Sequence, residues 1–157
     1  MPLDAVQKEI VKWYIHRAYY NYRQAQILFN TFNNVESIIA SFEAIEFSVK
    51  AMCKLFIITY APKHFGEDIA KMISILAEKI GESNVYSKDK ILQTMPIVMS
   101  YSDDLRILSR YGLDLDDAPR VAPPKIFSRI YAESVLEDAK SLIDILRRME
   151  LRIRWGL

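Results

Sequence analysis

VESIIASFEAIEFSVKAMCKLFIITY, residues 35–60, decides the fold. Ile38, Phe42, Ile45, Val49, Met52 and Phe56 recur by four and three, the spacing that lines one face of an α-helix. Ala40, Ala44 and Ala51 flank this seam, and their small side chains let a second helix come close. Ala61-Pro62 is the expected stop, because proline disfavours a helical residue before it and has no N–H to donate. Glu43, Glu46, Lys50 and Lys54 follow one another by three and four on the polar side. Two readings stand for them: a solvated face with an i,i+4 pair worth about 0.3–0.5 kcal/mol, or the polar floor of a cleft at which Arg110 arrives.

Working outward, residues 3–32 carry Ile10, Trp13, Tyr14, Ala18, Tyr22, Ala25 and Leu28 at helical spacing, which predicts a long first helix with these on its core face. Asn34 is placed to cap the second. A third helix is predicted over 67–80 through Ile69, Ile73, Leu76 and Ile80, with Gly81 as a left-handed stop. Ser87 can cap a fourth over 88–109, kinked or divided at Pro96. A fifth, over 128–152, presents Val135, Ala139, Leu142, Leu146, Met149 and, just past it, Ile153. RYGLDLDDAPRVAPPKIF (110–127) lies before it: Gly112 suits a helix C-cap, and Pro119, Pro123 and Pro124 favour an extended, rigid strap. The expected architecture is all-α, one domain over 1–157 folded as an up-and-down antiparallel bundle of four to five helices.

Composition narrows the function classes. Four glycines among 157 residues favour long helices over tight-turned sheets. Twenty-one Lys and Arg balance twenty Asp and Glu, so any binding of nucleic acid would be local, not driven by net charge. The single Cys53 allows no internal disulfide and fits a reducing compartment. No start resembles a secretion signal and no apolar run approaches the roughly 18 residues of a membrane span. A cytoplasmic protein without a membrane partner is expected. His16 and His64 are far apart, the paired Glu-x-x-His pattern is absent, and neither a P-loop nor Gly-x-Gly-x-x-Gly occurs, so neither metal nor cofactor is expected. Cys53, at a core-spaced position, reads as an inert small hydrophobe.

Two further clusters keep two readings each. Tyr14, Tyr19, Tyr20 and Tyr22 beside Arg17 and Arg23 suit base stacking, or half-buried packing with wet hydroxyls, within the fold or across a dimer contact. Arg147, Arg148, Arg152 and Arg154 suit a phosphate-facing patch, or cations favoured at a helix C-terminus by its dipole.

The order RAYYNYRQAQILF, SFEAIEFSVKAM, APKHFGEDIAKMISIL, SRYG, a proline loop and AESVLEDAKSLIDIL resembles the HEPN family (higher eukaryotes and prokaryotes nucleotide-binding) over roughly residues 10 to 148. The family's second helix is similar to Gln-x-x-Glu-x-x-x-Lys-Ala, matched here by Glu43 in place of the glutamine, Glu46, Lys50 and Ala51. The resemblance implies a dimerising helical bundle, often paired with a minimal nucleotidyltransferase as toxin and antitoxin. Many such proteins are metal-independent ribonucleases with an arginine followed four to six residues later by a histidine. Arg110, with Tyr111 beside it, matches the arginine; Leu115, Asp116 and Asp117 stand where the histidine would be. An acid run facing a polyanion opposes binding and supplies no cationic acid. The reading is therefore a non-catalytic homodimeric module that binds a nucleotidyltransferase, and a nucleotide or RNA near Arg110, Tyr111, Lys50, Glu46 and Glu43. A ribonuclease with a substituted acid–base group and a scaffold without nucleotide binding remain the alternatives.

Overall fold

The structure is a computed structural model that describes residues 3–58, 69–101, 113–115, 118–121 and 128–154. Helix α1 spans Ala5–Asn30 and begins with a reciprocal cap. The Gln7 N–H donates to Asp4 Oδ1 at 2.7 Å while the Asp4 N–H donates to Gln7 Oε1 at 3.0 Å. Its core face is Val11, Ile15, Ala18, Tyr22 and Ala25. Ile10 and Trp13, expected in the core, are exposed instead. The helix carries two apolar stripes, and the bundle takes the one whose Val11 and Ile15 fit between neighbouring helices.

Helix α2 spans Asn34–Leu55 and is the centre of the molecule, with α1 on one side and the last helix on another. Ile38, Phe42, Ile45, Val49 and Met52 are buried as their spacing predicts, and so are Ala40, Ala44 and Ala51. Ser37 Oγ donates to the Ala25 carbonyl at 2.8 Å, holding the start of α2 against α1. Asn33, not Asn34, is the N-cap residue, and it caps without a side-chain bond.

Both helices end in the same device. Phe32 and Ile57 adopt left-handed φ values of 61° and 55°. Around them the N–H groups of Phe32 and Asn33 reach back to Phe29 and Leu28, and those of Ile57 and Ile58 to Lys54 and Cys53. These paired bonds satisfy carbonyls the last turn leaves open. The stop of α2 therefore lies ahead of Ala61-Pro62, which is outside the described residues.

Helix α3, described over Ile69–Ser83, buries Ile73, Leu76 and Ile80 as expected. Gly81 does not stop it; Asn84 takes the left-handed position, at φ 53°. Gly81 serves close approach, since a Cβ there would lie 3.1 Å from Lys88 Cβ. The expected fourth helix is divided into α4 (Lys88–Leu92), capped by Ser87, and α5 (Met95–Ser100). Pro96 sits in the first turn of α5, where a missing N–H breaks no helical bond. The rest of the predicted fourth helix lies outside the described residues.

The proline-rich stretch departs from the expected strap. Strands β1 (Leu113–Leu115) and β2 (Ala118–Val121) pair antiparallel, Leu113 opposite Val121 and Leu115 opposite Ala118. Two edge strands need not use every N–H, so Pro119 is tolerated in β2. Helix α6 spans Arg129–Arg154, with Val135, Ala139, Leu142, Leu146 and Met149 buried and Ile153 exposed. The fold is thus an all-α antiparallel bundle with a small ribbon appended. Among the described residues, no helix is long and apolar enough to cross a membrane.

Candidate functional site

Glu46 and Lys50 are not on a solvated face. Glu46 Oε1 lies 2.5 Å from Lys50 Nζ, and the two side chains are only 10% and 13% exposed. One turn apart on the central helix, both are closed in by packing that leaves α2 little free surface. Glu43 precedes them by one turn and is half-buried. The pair is largely desolvated, so its electrostatics count for more than those of a surface i,i+4 pair. Arg110, Tyr111, Asp116 and Asp117 lie outside the described residues.

The chain leaves for Arg110 from a well-fixed point. The Tyr101 hydroxyl donates to Asp138 Oδ2 on α6, and its ring packs on Phe42 with centroids 4.7 Å apart. Burial, followed by the hydrogen bond and charge of Asp138, raises the Tyr101 pKa far above its ordinary value. Burial and then Asp138 raise that of Tyr131 as well. Tyr22 is raised by burial, with Asp144 and Glu137 adding to it. Burial pushes the Cys53 thiol up to about 12, which disfavours the nucleophilic thiolate.

All four groups hold their protons more tightly folded than unfolded. Their stabilisation is complete below the unfolded values of 9 for the thiol and 10 for the phenols, and it is lost as pH rises beyond them. Unfolding by urea should therefore show constant stability from pH 7 to about 9 and a decline above. Tyr101→Phe should lower neutral-pH stability by about 1.5 kcal/mol and shallow the alkaline decline. An unchanged alkaline slope would remove Tyr101 from that account.

The α1 aromatics divide. Tyr22 is buried, and Tyr19 donates to Glu150 Oε2 at 2.6 Å beneath the Arg147 guanidinium, 5.2 Å from its ring centroid. Arg152 donates to the Val85 carbonyl at 2.6 Å. Two of the four C-terminal arginines thus tether α6. Sequence spacing missed a surface cluster in which Arg17 lies over Trp13, Tyr20 and Phe47, at 6.0, 5.7 and 5.4 Å. It also missed a cleft of about 1290 Å³ where α1 begins and α2, α3 and α6 end, lined by Lys8, Lys12, His16 and Lys79 together with Val11 and Phe56. Its lining comes from four helices separated in sequence. His64 lies outside the described residues, among which no group of three or more His, Cys, Asp or Glu is placed to hold a metal ion.

The model of the HEPN domain family matches residues 11–149. The chain belongs to that family. No curated protein and no solved structure matches it. Within this HEPN domain, Glu46 and Lys50 are joined to each other, and Tyr101 is fastened to Asp138 of α6.

Proposed function

We propose that this HEPN domain is a non-catalytic binding module: a homodimer that holds a partner protein, a minimal nucleotidyltransferase of the toxin–antitoxin kind, and a nucleotide or RNA phosphate near Arg110 and Tyr111. The observation that carries the reading is on α1, which presents a second apolar stripe to solvent although its first already fills the core. An exposed apolar stripe of that length marks a protein-binding surface. The sequence adds to it, because no histidine follows Arg110 to move a proton.

Incubation of the protein with structured RNA in chelator, beside the Arg110→Ala variant, tests the absence of catalysis. Neither should cut; arginine-dependent cleavage would establish the ribonuclease instead. A nucleotide held by the folded state should raise the melting temperature, and Arg110→Ala should abolish that rise. Co-expression with a nucleotidyltransferase encoded next to this gene should yield a complex that survives purification, and its absence would count against that partner.

A further inference from the structure

We infer that the outer stripe of α1 is the seam of a homodimer in which the two α1 helices pack antiparallel. The inference rests on the proposed homodimer and assigns its surface and orientation. Val6, Ile10, Trp13, Arg17, Tyr20, Gln24 and Ile27 are separated by four and three in strict alternation, a 3.5-residue repeat over three heptads. The five apolar members are between 41% and 69% exposed, Ile10 the least and Val6 the most. The stripe lies away from Val11, Ile15 and Tyr22, so the helix offers apolar surface on two sides.

Charges beside the seam choose the occupant and its direction. Glu9, His16 and Arg23 each precede a seam position and repeat every seven residues. All three are exposed. A parallel second copy would set Glu9 and Arg23 against the partner's Tyr14 and Leu28, which offer no charge to pair with. An antiparallel copy sets Glu9 against the partner's Arg23, twice, and this opposite-sign pairing at seam flanks fixes orientation. The corresponding layers are Val6 with the partner's Gln24, Ile10 with the partner's Tyr20, and Trp13 with the partner's Arg17. The last layer suits Arg17, whose guanidinium already lies over Trp13, Tyr20 and Phe47 and whose Nε has no hydrogen-bond partner among the described residues. A partner indole on its open side extends the same stacking. Glu9 now pairs with Lys12 at 2.8 Å, but both are well exposed and that pair is easily exchanged.

The full chain tests this directly. Cys53 is buried and leaves introduced thiols without competition. Val6→Cys with Gln24→Cys should give an intermolecular disulfide on mild oxidation, whereas Val6→Cys alone should not, its two copies being about 27 Å apart along the seam. Cross-linking by Val6→Cys alone means a parallel pair and overturns the inference. Glu9→Arg should weaken the dimer at least tenfold by light scattering over a dilution series, and adding Arg23→Glu should restore it. A dimer that ignores both Ile10→Glu and the charge reversals keeps the proposed homodimer but removes this surface from it. A wild-type monomer overturns both. Loss of RNA retention by Trp13→Ala and Tyr20→Ala in a chain that is monomeric throughout would assign the stripe to nucleic acid instead.

Discussion

Lys50→Ala should lower the stability of the folded chain by about 3 kcal/mol, because it removes an ammonium 2.5 Å from a largely buried carboxylate. A chain of this size should then melt roughly 6 to 12 °C lower. Replacing both partners together, Glu46→Gln with Lys50→Met, should cost less than the single change, since no buried charge is left behind. Urea unfolding of the two variants with similar slopes separates loss of the pair from a change in unfolding behaviour. A loss of only about 0.5 kcal/mol for Lys50→Ala, the worth of a surface pair, would return these residues to a solvated face.

Ile45→Ala should be comparably damaging, at about 3 kcal/mol. Ile45 is fully buried on the central helix, within the core cluster that also contains Ala18 of α1 and Leu146 of α6. Its removal sacrifices apolar burial and opens a void that neighbours on rigid helices fill only in part. Ile57→Ala supplies the comparison, since Ile57 is substantially exposed at the end of α2. If the two variants unfold at the same denaturant concentration, the assignment of α2 to the centre of the core fails.

Much of this fold was readable before any coordinates. The 4-3 spacing of α2 located its core seam, and the apolar positions of α3 and α6 followed, Ile153 at the end of α6 excepted, because each of those helices carries one dominant apolar face. Helix α1 misled for a physical reason. Two apolar stripes give overlapping periodicities, and a single sequence does not say which one a neighbour covers. Helix ends were hard to place because Phe32, Ile57 and Asn84 take the left-handed role for which glycine is the usual signal. The charged stripe of α2 was visible as a pattern, but its burial depends on helices distant in sequence. Family membership was legible from the order of weak motifs, and Arg110, the residue that the resemblance singles out, lies outside the described residues.

Arg129 gives the fold a mechanical independence at one corner. Its guanidinium lies 3.8 Å from the ring centroid of Phe29 and 4.4 Å from that of Phe32, while Nη1 donates to the Phe29 carbonyl at 2.8 Å and to Asn34 Oδ1 at 3.2 Å. The first residue of α6 is thereby fastened to the turn joining α1 and α2. This clamp sets the position of α6 from within the bundle, whatever chain length precedes Ser128. A change in the length of chain before Ser128 should therefore leave the register of the helix that completes the core unchanged.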